Sequence, residues 1–352
     1  MNKLKLFYLI GVPALLASCA GKVRTESDDA RTFELSQFQN VDLSTGHIVT
    51  DDPDLLGITK NIKIVNDSII AICQISSNSQ VKLYNLNSGE WQNAVMRGEG
   101  PLEMLSVTSM STDSGKTLWI SGLMDKKVMT TGWNDDGNEA VTELKYHSLE
   151  DLLRGVTDNH GGLIGLPAVS RNLRAIRLNH LGETTDSLGP FPSVALPDSI
   201  TPDNFMFQAD IAYSSGNGKL VIANKSWNQI GIYSVADSGK IILKYPLDKD
   251  IEIKKSGRGN GYTYNPQPMW FMFSDVSADD NGFAVGYIGV EVKTKEDFNR
   301  GIRRLLEFDW DGNPRRSFSF GEDVTTFDVD FNNRIIYTIE NRPDPTLVRY
   351  EF

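Results

Sequence analysis

Residues 214–223 read Ser-Ser-Gly-Asn-Gly-Lys-Leu-Val-Ile-Ala, a polar turn that runs directly into an apolar strand. Tight turns between strands need residues that tolerate positive φ, and Gly, Asn and Asp tolerate it best. A second apolar stretch at 230–233 and a second turn at Ser238-Gly239 follow. The stretch therefore predicts antiparallel strands joined by short turns.

The same order of strand, polar turn and strand recurs along the chain. Equivalent turns are placed at Asp67, Gly115, Gly162, Gly218, Gly282 and Asn333. Their spacing is roughly 50 residues, which is typical of one four-stranded β-propeller blade. Six such repeats predict an all-β, six-bladed β-propeller, with insertions mainly around 190–204 and 291–301. A two-domain β-sandwich is the alternative, and the similar order of the repeats disfavours it.

Closure of the predicted propeller requires a strand from the N-terminal side. Unpaired sheet edges are prone to association, so the first and last blades have to be joined. The chain ends at Phe352, directly after the third predicted strand of the sixth repeat. We therefore expect a strand from residues 33–50 to complete the last blade. Amphipathic helix patterns are scarce, and the best candidate is the short segment 149–154 (Leu-Glu-Asp-Leu-Leu-Arg).

The N-terminus has the organisation of an export signal. Lys3 and Lys5 precede residues 6–18, which carry no charge and are too few for a transmembrane helix of roughly 20 residues. The run Leu16-Ala17-Ser18-Cys19 resembles the lipobox of bacterial lipoproteins. This resemblance implies cleavage before Cys19, a diacylglyceryl thioether on that cysteine and an acyl chain on the new N-terminus. An ordinary signal peptide with a chance cysteine is the alternative.

The chain is accordingly predicted to have three parts. Residues 1–18 are the lipoprotein signal peptide, 19–31 a polar, flexible tether, and 32–352 the six-bladed β-propeller domain. Stable membrane attachment takes more than one acyl chain, in agreement with the modification that the lipobox implies. Enteric lipoproteins with aspartate after the cysteine stay in the inner membrane, and this chain has Ala20 there. The predicted location is the cell envelope, lipid-anchored in the outer membrane, with its periplasmic and surface faces both open.

The charge excludes one class of partner. The chain carries a net charge of −11, whereas nucleic-acid binding depends on Lys and Arg that neutralise phosphates. A nucleic-acid partner is therefore not expected, and electrostatic adhesion to anionic lipid is not expected either. Lipidation of Cys19 would leave Cys73, the only other cysteine, without a disulfide partner. The apolar run Ile-Ile-Ala-Ile before Cys73 predicts a small, buried residue.

One local motif carries a family resemblance. The segment Arg97-Gly98-Glu99-Gly100-Pro101-Leu102-Glu103 is similar to the R-G-x-G-P-x-E segment that follows the first blade in TolB-like six-bladed β-propeller lipoproteins. With the lipobox and the repeat, the resemblance extends over nearly the whole mature chain. It implies the fold and the anchor but no reaction, because propellers include both binding proteins and enzymes. Arg97, Gly98, Gly100, Pro101 and Glu103 are predicted to form a rigid, sharply bent connection between blades.

No catalytic set is recognisable in the sequence. The four histidines are far apart, and there is no zinc pattern, nucleophile elbow or P-loop. The segment 132–137 (Gly-Trp-Asn-Asp-Asp-Gly), with Glu143 beyond it, superficially resembles a calcium loop. Gly132 stands at the first ligand position, so a hairpin turn is favoured. We predict no metal, and no cofactor apart from the diacylglycerol and acyl chain on Cys19.

The most suggestive binding segment is 258–271, which combines glycines, prolines and aromatic residues. Arg258, Tyr262 and Tyr264 are the candidate partner-binding residues, because Arg and Tyr are common in binding hot spots. Trp270 and Phe271 are instead expected to begin an inner strand and pack between blades.

Two functional hypotheses follow from these features. The leading one is a membrane-anchored lipoprotein whose propeller is a binding or scaffolding module for a protein, peptide or glycan at the cell envelope. The alternative is a metal-dependent, lactonase-like hydrolase with its site at the mouth of the central channel. Three or more inward carboxylate and amide side chains at that mouth would favour the enzyme, and an aromatic mouth would favour binding.

Overall fold

The computed structural model of the protein describes residues 30–75, 77–133, 140–148, 150–168, 173–189, 191, 202–236, 239–258 and 261–352. At 133, 255–258 and 261–264 only the backbone is described. Helices in these ranges are limited to the single turn α1 (Pro53–Leu56) and two 3₁₀ turns, Leu35–Gln37 and Glu296–Asn299. None of these helices is long and apolar enough to span a bilayer. The predicted all-β class is confirmed.

Four separate sheets are built from strands that are neighbours in sequence. Three short strands precede them: β1 (Arg31–Thr32), β2 (Gln39–Leu43) and β3 (His47–Thr50). The first sheet contains β4 (Thr59–Asn66), β5 (Ile69–Gln74), β6 (Ser79–Asn85), β7 (Trp91–Arg97) and the short β8 (Glu103–Met104). The second contains β9 (Val107–Thr112), β10 (Leu118–Gly122), β11 (Lys127–Trp133) and β12 (Ala140–His147). The third contains β13 (Leu152–Thr157), β14 (Leu163–Pro167), β15 (Ala175–Leu178) and β16 (Thr184–Leu188). The fourth contains β17 (Ala209–Ser214), β18 (Lys219–Asn224), β19 (Gln229–Ser234) and β20 (Lys240–Lys244), with β1 at its edge.

The remaining strands form a hairpin and one larger sheet. The hairpin is β21 (Glu252–Arg258) and β22 (Gly261–Gln267). The larger sheet has eight strands: β2, β3, β23 (Trp270–Ala278), β24 (Phe283–Glu291), β25 (Ile302–Phe308), β26 (Pro314–Asp330), β27 (Ile335–Asn341) and β28 (Pro345–Glu351). The long strand β26 pairs with β25 through its first half and with β27 through its second half. It therefore joins two groups of strands into one sheet.

The sheets are arranged as a β-propeller, which confirms the predicted type of fold. The count of six blades is not confirmed, because the described residues form four separate blade-like sheets and one eight-stranded sheet. The hydrophobic core lies between neighbouring sheets. One cluster joins Ala71 and Val81 of the first sheet to Leu118 and Ile120 of the second. The first five residues of β5 are apolar because the whole strand, including its last residue Gln74, is buried.

The repeat read from the sequence has the correct register. Each of the six predicted turns lies between an innermost strand and the strand that follows it. Asp67 follows β4, Gly115 follows β9, Gly162 follows β13, Gly218 follows β17, Gly282 follows β23 and Asn333 follows β26. Gly218 has φ +62°, as a turn of this kind requires.

Two details of the prediction are wrong. The segment 149–154 is not a helix, because Leu152–Thr157 is the innermost strand β13. The longest spacing between turns comes from the unpredicted hairpin β21–β22 rather than from 291–301, which is a loop with one 3₁₀ turn between β24 and β25. Most of the other predicted insertion, 190–204, lies outside the described residues.

Residues 31–50, here called the N-terminal strap, run across three sheet edges. Strand β1 pairs in parallel with β20, β2 pairs in parallel with β26, and β3 pairs antiparallel with β28. The predicted pairing of a strand from 33–50 with the C-terminal strand is therefore present. Phe33 and Phe38 fix the strap, because both rings pack edge-on against Phe308 at centroid distances of 5.2 and 5.1 Å.

Candidate functional site

The innermost strands surround a central channel. They are β4, β9, β13, β17, β23 and the second half of β26, and each contacts the next around a closed ring. Residues from all of them line a cavity of about 230 Å³. Polar and charged side chains are prominent in the lining, so the channel is a candidate functional site.

Polar links between neighbouring innermost strands replace the backbone ladder that exists within each sheet. The amide of Gly155 donates to Ser109 Oγ at 2.9 Å, and the amide of Thr157 donates to Ser111 Oγ at 2.9 Å. These two bonds join β13 to β9. Buried amides need such partners, since an unsatisfied one costs about 1–3 kcal/mol.

Asp328 joins three innermost strands at once. Its carboxylate accepts from Lys63 Nζ at 2.9 Å, from Ser277 Oγ at 2.7 Å and from the amide of Ile64 at 2.8 Å. The side chain of Asp328 is 4% exposed. The carboxylate thus bonds β4 and β23 to its own strand β26.

Asp210 has the corresponding position near the other end of the channel. It pairs with Arg154 Nε at 2.7 Å and with Lys225 Nζ at 2.8 Å, and it also accepts from the amide of Asp275 at 3.0 Å. Asp210 is 9% exposed, whereas the side chains of Arg154 and Lys225 are 24% and 29% exposed. The two cations lower the pKa of Asp210, although burial opposes this effect. The carboxylate lies behind the cations, which keep part of their surface open to the cavity.

Lys60 adds a third cation to this group. Its Nζ donates to the carbonyl of Val107 at 2.8 Å, and it forms no ion pair within the described residues. Burial lowers the pKa of Lys60, and the nearby positive charge of Arg154 lowers it further. The channel therefore holds an ammonium group whose charge has no direct partner.

Asp275 differs from Asp210 in its backbone conformation and in the direction of its pKa shift. It has φ +54° at a bulge between β23 and β24, a conformation that is uncommon for residues other than Gly, Asn and Asp. Burial raises the pKa of Asp275 to about 6, and the neighbouring Asp210 charge contributes to the increase. Strained backbone of this kind is concentrated at functional sites in proteins generally.

These contacts describe a site of cations and engaged carboxylates. Within the described residues the lining of the mouth is mainly polar, and the Asp210 carboxylate is bonded to Arg154, Lys225 and the amide of Asp275. In the described ranges no three His, Cys, Asp or Glu residues are grouped so that they could hold a metal ion. The arrangement therefore corresponds neither to the carboxylate and amide cluster expected of an enzyme nor to the aromatic mouth expected of a binding module.

The surface at which the innermost strands begin is here called the mouth face. Because successive strands of each sheet are antiparallel, the loops before β4 and β9, after β5 and β10, and between β24 and β25 all lie on this face. Most of the large exposed apolar side chains of the described residues are located there. They are Ile58, Ile75, Met96, Leu102, Met124, Phe205 and Phe298, with exposed fractions from 39% to 72%.

The motif at 97–103 forms a tight turn on the mouth face. The amide of Gly100 donates to Glu103 Oε2 at 2.9 Å, and Lys127 Nζ donates to the carbonyl of Gly100 at 2.6 Å. A side chain at Gly98 would overlap the Glu103 carboxylate. Arg97 closes the turn from outside by donating to the carbonyls of Ile75, Ser77 and Leu105. Pro101 lies within the turn, so these residues position a loop rather than a reacting group.

The structure places the other predicted site residues separately from the channel cluster. Arg258, Tyr262 and Tyr264 lie on the hairpin β21–β22, and their side chains are outside what the structure describes. Trp270 begins β23 as predicted, and Phe271 packs edge-on against Phe298. Cys19 and most of the calcium-like segment 132–137 lie outside the described residues. Cys73 is buried.

The comparisons with known proteins concern the fold. No protein-family model matches the chain, and no curated protein matches it in sequence. An exported protein of Bacteroides fragilis NCTC 9343 has a similar structure, with a TM-score of 0.50 and 12% identity over 88% of this chain and 98% of that one. The Cps50 (Swd1) β-propeller domain of Myceliophteria thermophila gives a TM-score of 0.43 at 10% identity, over 83% and 96% of the two chains. A chain of a nidogen/laminin complex gives 0.46 at 12% identity, over 74% and 80%.

None of the channel residues Lys60, Arg154, Lys225, Asp210 and Asp275 was predicted from the sequence as a site residue. They come from four sheets, and they are separated by up to about two hundred residues of sequence. One signal was available: Lys60, Arg154 and Asp210 each lie near the start of a strand that precedes one of the repeated turns. Aligning the repeats would have placed these three charges at the same end of the channel.

Proposed function

We propose that this protein is a lipid-anchored, six-bladed β-propeller that binds a protein, peptide or glycan partner at the cell envelope through its mouth face. Two observations support six blades: the six turns in equivalent positions, and the closed ring of innermost strands. The division of β26 between two partner strands accounts for the eight-stranded sheet as two blades joined by one strand. The relationship to TolB-like lipoproteins is part of this proposal and depends on the lipobox and the 97–103 motif.

The observation that carries the binding role is the concentration of exposed apolar side chains on the mouth face. Leu102, within the turn at 97–103, is 46% exposed, and Met124, in the loop after β10, is 72% exposed. Contiguous exposed apolar surface marks interaction sites in soluble domains. A rigid sheet framework that presents such loops is the usual construction of a binding module.

Site-specific photo-crosslinking tests the binding face. A photoreactive amino acid replaces Leu102 in the full-length protein in its native membranes, and Leu181 provides the matched control. Leu181 is 59% exposed but lies in a turn at the opposite face. We expect discrete adducts from position 102 and none from 181. Equal adduct formation at the two positions, or none at 102, 124 and 298, would contradict binding through the mouth face.

Metabolic labelling with a fatty acid tests the anchor. Cys19→Ala should abolish labelling and leave the precursor uncleaved, whereas Cys73→Ala should leave labelling unchanged because Cys73 is buried in the propeller. Label retained in Cys19→Ala would contradict the anchor without affecting the proposed binding face.

No specific observation favours the hydrolase alternative. Asp210 and Asp328 are bonded to Arg154, Lys225 and Lys63. A carboxylate in such a pair is a poor metal ligand, since binding would have to displace a cation from it.

A further inference from the structure

We infer that the mouth of the central channel binds a single carboxylate group, held by Lys60, Arg154 and Lys225. This inference deepens the proposed function, because it assigns a chemical class to part of the bound partner. It rests on charge and geometry within the channel, while the proposed function rests on the apolar mouth face.

The cations at the channel mouth outnumber the carboxylates that they face. Lys60, Arg154 and Lys225 face two carboxylates, Asp210 and Asp275, so that one positive charge remains when all five groups are ionised. The remaining pair in the channel, Lys63 with Asp328, is balanced. Uncompensated charge in a cavity with low-dielectric walls raises the local concentration of the opposite ion. A monoanion would neutralise the cluster, whereas a dianion would leave it negative.

Hydrogen-bond donors of Arg154 and Lys60 are available to a ligand. Arg154 uses Nε for Asp210 and Nη1 for the carbonyl of Leu153, so Nη2 has no partner within the described residues. Lys60 uses one donor for the carbonyl of Val107. Guanidinium and ammonium donors form strong hydrogen bonds with ionised oxygen acceptors, carboxylate and phosphate, and of these the carboxylate is the monoanion that the charge balance requires. The donors that remain available to a ligand therefore belong to positively charged groups. Arg154 and Lys225 are also more exposed than Asp210.

The volume of the cavity limits which part of a ligand can enter it. The cavity of about 230 Å³ is many times the roughly 10–15 Å³ that one water needs, so it has room for a carboxylate together with several waters. A folded protein or a long glycan would not enter it. The carboxylate would therefore be an end group or a substituent, and the remainder of its molecule would lie on the mouth face. A peptide C-terminus and an acidic sugar both supply this chemistry.

Isothermal titration calorimetry on the full-length protein in detergent micelles tests the inference. Tri-alanine and glucuronate are the carboxylate probes, and tri-alanine amide and glucose are their uncharged counterparts. We expect saturable binding of at least one acid and at least tenfold weaker binding of its counterpart. Tri-alanine alone would identify a peptide terminus as the source, and glucuronate alone an acidic sugar.

Variants at Lys60 separate recognition from folding. Lys60→Met should weaken binding of the acid at least tenfold, and Lys60→Arg should restore most of it because the charge is kept. Lys116→Met, at a position that is 59% exposed, controls for the change in net charge. Circular dichroism should show that all three variants are folded. The inference is wrong if neither acid binds, if the uncharged counterparts bind equally well, or if Lys60→Met binds like the parent protein. Such results would leave the crosslinking test of the mouth face unaffected.

Discussion

Asp328→Ala should destabilise the propeller more than removal of any single surface charge, because one carboxylate joins β4, β23 and β26. The substitution removes three hydrogen bonds, those from Lys63 Nζ, Ser277 Oγ and the Ile64 amide. It leaves the Ile64 amide without its partner, which costs about 1–3 kcal/mol. It also leaves the ammonium group of Lys63 unpaired.

The magnitude follows from the burial of these groups. Breaking a fully buried ion pair costs about 3–5 kcal/mol. Lys63 is 20% exposed, so its charge recovers part of its hydration through the channel. We therefore expect the free energy of unfolding to fall by about 3–5 kcal/mol in total. Ser277→Ala removes one partner of this carboxylate and also the acceptor of the buried Val329 amide, so it should cost about 1–3 kcal/mol.

Urea unfolding followed by tryptophan fluorescence measures the effect as a lower midpoint at unchanged slope. Asp311→Ala is the matched control, because its carboxylate is 79% exposed and pairs with Lys219 only at 3.7 Å. Such an exposed pair contributes about 0–1 kcal/mol. If Asp328→Ala cost no more than Asp311→Ala, the ring of polar links would not be what closes the channel.

Three further predictions concern other parts of the molecule. Phe33→Ala should lower the free energy of unfolding by about 3–5 kcal/mol, because the ring is 2% exposed and packs against Phe308. Loss of hydrogen-exchange protection in β1 and β2 would locate the damage, whereas unchanged protection would contradict the role of the strap. Asp275→Asn should stabilise the protein at pH 7.5, since the raised pKa of Asp275, about 6, means that its ionised form is disfavoured in the folded state. The gain should shrink as the pH falls through 6 towards 4, where the folded state already binds the proton, and a gain independent of pH would refute this cause; Asn also tolerates the positive φ. Cys73, whose pKa burial raises to about 11, should react with iodoacetamide at least a hundredfold more slowly in the native protein than in urea. Mass spectrometry after unfolding should then find one alkylated thiol per lipidated chain, and two would argue against a modified Cys19.

The turns were predictable because their information is local. Gly218 has a positive φ that few residue types adopt, and Asn333 bonds to Asp330 within its turn, so composition alone places these positions. Closure was predictable from the general need to pair sheet edges, and β3 pairs with β28 accordingly. The split pairing of β26 was not predicted, although Gly321 lies between the half that pairs with β25 and the half that pairs with β27.

The channel could not be read from the sequence for a different reason. Lys63 and Asp328 are 265 positions apart, and each has an ordinary, alternating strand context. The prediction placed Arg154 in a helix, because Leu-Glu-Asp-Leu-Leu-Arg satisfies helical spacing. Leu152 and Gly155 in fact belong to strand β13, which faces a sheet on one side and the channel on the other. Ion pairs between sheets are set by tertiary geometry, which local patterns do not encode.

The strap links the proposed anchor to the closure of the propeller. A tether that ends near residue 31 would transmit any pull from the membrane first to β1, which pairs with β20 through two residues only. Next in line are Phe33 and Phe38, whose contacts with Phe308 are buried. Only after these contacts and the five-residue pairing of β2 with β26 would force reach β3, the strand that pairs with the C-terminus. The order of attachment along the strap therefore protects the closing strand, since the aromatic contacts and β2 must be released before β3 bears load.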